Sequence, residues 1–151
     1  MNSKEFKKIF GEIARQQGFQ ASPGGWLKES TESIIFLDLQ KSNFGNYFEL
    51  NIKIFIQGMF EQHYKKGKEL QRDTGDIFRR QPVESRDIFD LDSGMDEALR
   101  KSKIKSLFEE FLVPYSNNAL SIKGIKEMAI REEFFLLPNV AKELAKLNQA
   151  T

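Results

Sequence analysis

Residues 33–57, with the sequence SIIFLDLQKSNFGNYFELNIKIFIQ, decide the fold. Apolar side chains occupy every second position from Ile35 to Leu39, and again from Phe48 to Ile56. The positions between them are mostly polar and include Asp38, Gln40, Glu49, Asn51 and Lys53. This alternation is typical of strands that bury one face and leave the other largely wet. The stretch therefore predicts two antiparallel strands joined by the polar turn of residues 41–46.

Helices and a second hairpin are predicted around this central pair. Residues 3–17 repeat apolar side chains at helical spacing, with Asn2 as the N-terminal cap and Gly18 at the C-terminal end. The turn Pro23-Gly24-Gly25 predicts a hairpin of residues 19–22 and 26–30. Residues 59–70 predict a loop or a short helical turn. Two short strands are expected at 76–79 and 87–90.

The C-terminal third has the pattern of helices. Ser93 is expected to cap a helix that stops before Pro114, because the residue preceding a proline disfavours the helical conformation. Ser121 is expected to cap a shorter helix, and Pro138 suits the first turn of a last one.

Together these elements predict a single α+β domain over residues 1–151. It has an N-terminal helix, an antiparallel sheet of about five or six strands, and C-terminal helices packed on one sheet face. The helices should cover the face that carries Leu50. The opposite face, with Glu49, Asn51 and Lys53, should be wholly or partly open.

Composition limits the classes of function. The 23 basic and 22 acidic residues give a net charge of +1, so no overall field favours nucleic acid, and nucleic-acid binding is not expected. The chain has no cysteine, which excludes disulfides, thiolate metal sites and cysteine nucleophiles and suits a reducing cytoplasm. No run approaches the roughly 20 apolar residues of a membrane-spanning helix, and the first residues lack a secretory signal. A cytoplasmic protein without membrane contact is the expectation.

Metal and cofactor chemistry have little support in the residue pattern. His63 is the single histidine, and it lies in a polar stretch that predicts exposure. The acidic residues 90–96 lack the oxygen ligands that a calcium loop requires, since Lys101 stands where that loop needs a glutamate. We therefore expect no metal site, no catalytic residue and no cofactor.

Two polar segments are the candidate binding surfaces. The turn after the first central strand is longer than a tight hairpin needs and is rich in amides and hydroxyls, so it is either an ordinary loop or a binding surface. Arg79, Arg80 and Arg86 bracket a proline-containing turn and suit an anionic partner, although nearby acids could neutralise them. The candidate binding residues are Asp38, Gln40, Lys41, Ser42, Asn46, Arg79 and Arg86.

The apolar run Phe134-Phe135-Leu136-Leu137 is either an irregular buried connector or an interface. Four consecutive apolar residues cannot all point inward from one regular strand. A homodimer or another protein partner at this run is therefore left open.

Three motifs carry a resemblance to a known family. They are Phe6-Lys7-Lys8-Ile9-Phe10, the pair Gly18-Phe19, and Leu39-Gln40-Lys41-Ser42 followed by Gly45 and Phe48. Over residues 6–56, and more thinly to about residue 130, the chain resembles the bacterial domain of unknown function numbered 4304. The resemblance implies a fold and a bacterial source. It brings no established activity, so no catalytic residue is carried over.

The functional expectation follows from both lines of reasoning. No pairing of a nucleophile with a base is visible, which favours a non-catalytic protein-binding module, for example an accessory or immunity-type protein that holds a partner against its open sheet face. The alternative is a small-ligand binder or an enzyme that works with carboxylates, Lys and Arg. Its pocket would lie near the turn that begins with Gln40-Lys41-Ser42, called here the Gln-Lys-Ser turn, and would join Asp38, Gln40 and Arg79.

Overall fold

A computed structural model describes residues 1–147 and has one α+β architecture. The strands are β1 (Gln20–Ser22), β2 (Gly25–Glu29), β3 (Ser33–Lys41), β4 (Phe48–Ile56) and β5 (Ile77–Arg80). The helices are α1 (Ser3–Gln16), α2 (Glu69–Arg72), α3 (Arg86–Phe89), α4 (Glu97–Leu107), α5 (Val113–Ala119), α6 (Ile122–Ile130) and α7 (Pro138–Lys146). A π-helical segment, Phe108–Leu112, joins α4 to α5, and 3-10 turns lie at Met59–Glu61 and Val83–Ser85.

The sheet is an antiparallel meander in the order β1-β2-β3-β4-β5. Its centre is the predicted hairpin, in which Leu39 pairs with Leu50 and Asp38 pairs with Asn51. Leu50 is fully buried, so the predicted register is confirmed. The hairpin of β1 and β2 around Pro23-Gly24 is also confirmed.

The main core lies between the Leu50 face of the sheet and the helices. Helix α1 contributes Phe6, whose ring stacks on Phe48 of β4 at 5.4 Å, and Phe10, whose ring lies 5.2 Å from that of Phe108. The α1 cap is as predicted, because the Asn2 side chain accepts a hydrogen bond from the Glu5 N–H at 2.8 Å. Phenylalanine therefore fills the contact between the first helix and the sheet.

The opposite sheet face is open only in part, as the expectation allowed, because another segment of the chain packs on it. Residues 57–76, which we call the cover segment, place Leu70 of α2 against a second apolar cluster of Leu27, Ile34, Phe36 and Phe55. Asn51 and Lys53 are buried, and Glu49 is half-buried. The cover segment carries few apolar residues, which is why its sequence resembles that of a loop.

Two secondary-structure predictions near the middle of the chain are wrong. Residues 86–89 form α3 instead of a strand, and both Ile88 and Phe89 are buried on the core side, which adjacent residues of a strand cannot achieve. The helix of residues 97–119 is capped by Asp96 and passes through Pro114. The π-helical segment just before Pro114 shifts the hydrogen-bond pattern, so the N–H that proline lacks is not needed there.

The last helices follow the prediction. The Ser121 hydroxyl accepts a hydrogen bond from the Gly124 N–H at 2.9 Å and caps α6. Pro138 stands at the first turn of α7. None of the helices within residues 1–147 combines the length and the apolar character that spanning a bilayer requires.

Candidate functional site

A row of polar side chains crosses three strands on the sheet face opposite α1. The pairing places Asp38, Asn51 and Arg80 side by side. The Asn51 amide donates to Asp38 Oδ1 at 2.9 Å and to Gln40 Oε1 at 3.0 Å, and its oxygen accepts from Arg80 Nε at 3.3 Å. Gln40 and Arg80 are exposed, so the row reaches solvent at the end that the cover segment leaves bare.

The buried end of this row is a structural ion pair. Lys53 Nζ lies 2.9 Å from Asp38 Oδ2 and donates to the carbonyls of Leu70 at 3.2 Å and Gln71 at 2.8 Å. The ammonium is thus held by two carbonyl hydrogen bonds and by one ion pair. Asp38 therefore helps to anchor the cover segment to the sheet, and its carboxylate is already occupied.

Arg79 lies on the opposite face of the sheet and does not join Asp38 and Gln40. It pairs with Ile52 on the face of the main core, and its guanidinium lies 4.7 Å from the Phe111 ring and 5.6 Å from the Tyr115 ring. Burial raises the pKa of the Tyr115 hydroxyl well above its usual range. The pocket that was expected to combine Asp38, Gln40 and Arg79 is not formed. The side chain of Arg79 faces the main core, and it is Arg80, the next residue of β5, that shares a face with Asp38.

The turn between β3 and β4 is held in shape by its own polar groups. The Ser42 hydroxyl accepts from the Phe44 N–H at 2.9 Å, and the Ser42 N–H donates to the Tyr47 carbonyl at 3.0 Å. Asn46 accepts from the Lys41 ammonium and donates to Asp92 at 2.9 Å. These bonds agree with the reading of an ordinary loop, and the turn that they order carries an exposed aromatic ring, since Phe44 is 95% exposed.

Arg86 borders a cavity of about 300 Å³ beside this turn. The lining residues are Tyr47, Phe48, Glu49, Gln81, Arg86, Asp87 and Asp90. Glu49 accepts from the Gln81 amide at 2.7 Å, and Asp87 is paired with Lys103 at 2.8 Å. Within residues 1–147 the Arg86 guanidinium has neither a hydrogen bond nor an ion pair. It is therefore available to an outside carboxylate or phosphate.

We call the turn of residues 41–47 together with this cavity the hairpin end. It brings together Lys41, Ser42, Asn46 and Arg86 from the predicted site residues, with Gln40 on the adjoining strand. Sequence reasoning missed Phe44, although an aromatic residue inside an otherwise polar turn was a usable signal. It also missed the cavity, because no local pattern connects residues 47–49 with residues 81–90.

Burial and neighbouring groups explain the other shifted pKa values of the molecule. Tyr64 donates its hydroxyl hydrogen to Asp76 at 3.1 Å, and the Asp76 carboxylate also accepts from the Ile56 N–H at 2.8 Å. Burial raises the pKa of Asp76 and, together with the charge of Asp76, raises that of Tyr64. Burial lowers the pKa of Lys28. His63 is exposed, and across residues 1–147 no three His, Asp or Glu side chains are placed to share a metal ion.

The apolar run before α7 divides between the core and the surface. Phe134 and Leu136 pack partly against the main core, whereas Phe135 and Leu137 are exposed. The run is therefore a connector with an exposed apolar side, and an oligomer formed through it stays a prediction.

Comparison with known proteins places the chain in a family. The model of a family described as "Domain of unknown function (DUF4304)" matches residues 10–118, which include the second half of α1, the sheet, the cover segment, the hairpin end, α3, α4 and nearly all of α5. No curated protein and no solved structure matches the chain. Since the match extends over well more than half of the sequence, this protein belongs to the DUF4304 family of domains of unknown function.

Proposed function

We propose that this protein is a non-catalytic interaction module that holds a partner protein at its hairpin end. The Phe44 ring enters an apolar pocket of the partner, and Arg86 binds a carboxylate of the partner beside it. The observation that carries the proposal is the exposed Phe44 ring on a turn that hydrogen bonds hold in one shape.

An exposed aromatic ring on an ordered turn is well suited to binding. Aromatic residues are enriched at the centres of protein interfaces, where one buried ring supplies much of the affinity. A turn that is already ordered loses little conformational entropy when the partner binds. The bonds of Ser42 and Asn46 supply that order, which gives these predicted residues a supporting role in place of direct contact.

The surroundings of Phe44 resemble the polar rim of an interface. The exposed Lys41 and Asn46 flank it, and the Arg86 cavity adds an unpaired guanidinium near acidic groups that already have partners. Such a rim selects the partner by charge and adds less affinity than the central ring. The partner is expected to present an apolar pocket with a carboxylate at its edge.

The alternative, an enzyme or small-ligand site near the Gln-Lys-Ser turn, has less support. Asp38 is committed to Lys53, and Arg79 lies on the other side of the sheet. We place the interaction in the bacterial cytoplasm, because the family resemblance implies a bacterial source and a cysteine-free chain suits a reducing compartment. An accessory or immunity-type role is one form of this proposal.

The proposal is tested by comparing partner capture between variants. Tagged wild-type protein, Phe44→Ala, Arg86→Gln and the control Phe135→Ala are used to capture proteins from lysate of the source organism. Phe135 is a suitable control because it is also largely exposed, at 78%, but lies before α7. Captured proteins are identified by mass spectrometry, and the affinity of a purified partner is then measured by calorimetry.

We expect Phe44→Ala to weaken that affinity by about thirtyfold, which corresponds to a hot-spot loss of about 2 kcal/mol. Arg86→Gln should weaken it less, and Phe135→Ala should bind as the wild type does. The melting temperature of Phe44→Ala should be unchanged, because the ring is almost fully exposed. A partner that binds Phe44→Ala as tightly as wild type, or that Phe135→Ala alone releases, would show that the hairpin end is not the binding surface.

A further inference from the structure

A second cavity, of about 360 Å³, lies at the β1 edge of the sheet and is separate from the Arg86 cavity. It lies between α1 and the β1–β2 hairpin, and it also borders β3 and α2. The lining residues are Lys7, Ala21, Ser22, Gly24, Gly25, Trp26, Leu39 and Gln71. A volume of this size is within the range of sites for small molecules.

The charge of this cavity has one sign. Lys7 is its single ionisable lining residue, and no carboxylate lines it. Each of four other cavities of the molecule has at least one acidic lining residue. Within residues 1–147 Lys7 makes no ion pair and no hydrogen bond, and its Nζ lies 5.6 Å from the centre of the Phe48 ring. The cavity therefore favours an anion.

Three other lining residues carry a hydrogen-bond donor in a side-chain group that has no partner among the described residues. The Ser22 hydroxyl is shielded from solvent and has no hydrogen-bond partner. The indole N–H of Trp26 and the side-chain amide of Gln71 also make no hydrogen bond within the described part of the chain. A buried hydroxyl without a partner is costly, and an acceptor atom in the cavity would satisfy it after a rotation about one bond.

The apolar part of the lining consists of Ala21, Trp26 and Leu39. Two glycines allow the side chains around the cavity to pack closely. A Cβ atom on Gly11 would lie 2.9 Å from the Trp26 ring, and one on Gly24 would lie 2.2 Å from the Gln71 side chain. Trp26 can therefore lie close to α1, where its ring is 5.2 Å from that of Phe10, and Gln71 can reach the turn. Leu39 and Ala21 complete an apolar surface beside the indole.

We propose that this cavity binds a small carboxylate with a flat apolar body. The carboxylate pairs with the Lys7 ammonium and accepts hydrogen bonds from the neighbouring donors, and the flat body lies against Trp26 and Leu39. This cavity shares no lining residue with the Arg86 cavity and contains no residue of the turn that carries Phe44, so the site is distinct from the proposed partner surface.

Trp26 makes the test direct, because it is the single tryptophan of the chain. Benzoate is titrated into the purified protein while tryptophan emission is recorded, and benzylamine serves as a probe of the same shape and opposite charge. Inorganic phosphate tests for an anion without a ring. The variant Lys7→Gln removes the cation, and Lys8→Gln is the matched control, because Lys8 is exposed on the same helix but does not line the cavity.

We expect the tryptophan emission to change with added benzoate until the site is saturated. Lys7→Gln should weaken the binding of benzoate about tenfold or more, because it removes one charge-assisted contact. Lys8→Gln should bind as wild type does, and both variants should keep the wild-type melting temperature. Equal binding of benzylamine, an affinity for phosphate equal to that for benzoate, or a Lys7→Gln variant with unchanged affinity would each overturn the proposal. An absent response to benzoate would overturn it as well.

Discussion

The buried ion pair of Asp38 and Lys53 gives the sharpest stability prediction. Their side chains are 9% and 5% exposed, and Lys53 also holds the carbonyls of Leu70 and Gln71. The variant Lys53→Met removes the cation, leaves a carboxylate buried without its partner, and releases the cover segment from the sheet. Removing one member of a buried pair costs about 3–5 kcal/mol, and the melting temperature should then fall by roughly 6–20 °C for a chain of this length.

The double variant Asp38→Leu with Lys53→Met separates the charge from the packing. Replacing both members of a buried pair by apolar side chains of similar size is often neutral or stabilising. We therefore expect the double variant to recover the part of the loss that comes from the unpaired carboxylate, since Asn51 keeps Gln40 as an acceptor for its amide. The part that comes from the carbonyls of Leu70 and Gln71 should remain, because both variants lack the Lys53 donor.

The measurement is urea unfolding of the two single variants and the double variant as a thermodynamic cycle. Lys66→Met is the matched control, because its partner Glu29 and Lys66 itself are 40% and 50% exposed, and exposed pairs contribute less than about 1 kcal/mol. A Lys53→Met variant that loses no more stability than Lys66→Met would show that the buried ion pair does not stabilise the fold. So would a double variant whose loss equals the sum of the two single losses, because the two charges would then be uncoupled.

Two further predictions concern packing and pH. Gly11→Ala should gain about 1 kcal/mol of helix propensity and lose about 1–3 kcal/mol because its Cβ displaces the Trp26 ring, so we expect a lower melting temperature with a shifted tryptophan emission. A stabilised variant with unchanged emission would contradict this steric argument. Burial raises the pKa of the Asp76 carboxyl above its ordinary value of 3.8, so the folded state binds this proton more tightly than the unfolded state does. The stability that this group contributes therefore declines as the pH rises from the pKa of the unfolded state through that of the folded state. Urea unfolding of Asp76→Asn at several pH values should lack this decline, and parallel curves for variant and wild type would contradict it.

The sequence predicts those parts of the fold that depend on local patterns. The central hairpin is correct because its alternation requires only neighbouring residues, and the caps at Asn2 and Ser121 are correct for the same reason. The strand expected at residues 87–90 is a helix. This helix is stabilised by Arg100 of α4, whose buried guanidinium donates hydrogen bonds to the carbonyls of Asp87 and Asp90. A contact of that kind leaves no local signature.

The candidate site shows the same limit at the level of strand pairing. Which of Arg79 and Arg80 shares a face with Asp38 depends on the register of β5 on β4, and the connection between these strands is the cover segment. A shift of one residue exchanges the two arginines between faces. The cover segment itself was unpredictable as a packed element, because the contacts that hold it, among them Leu70, Tyr64 and the carbonyls that accept from Lys53, form no periodic apolar pattern in the sequence.

The short outer strands have a consequence for how this protein is handled. The two edges of the sheet are β1 and β5, of three and four residues, whereas the apolar β3 and β4 have nine residues each and lie inside. Short edge strands offer little backbone for pairing with another molecule, which protects a sheet from aggregation. A fragment that ends before Ile77 would turn β4 into a long apolar edge. Such a fragment should assemble into insoluble fibrils or precipitates, so domain boundaries for expression should lie beyond β5.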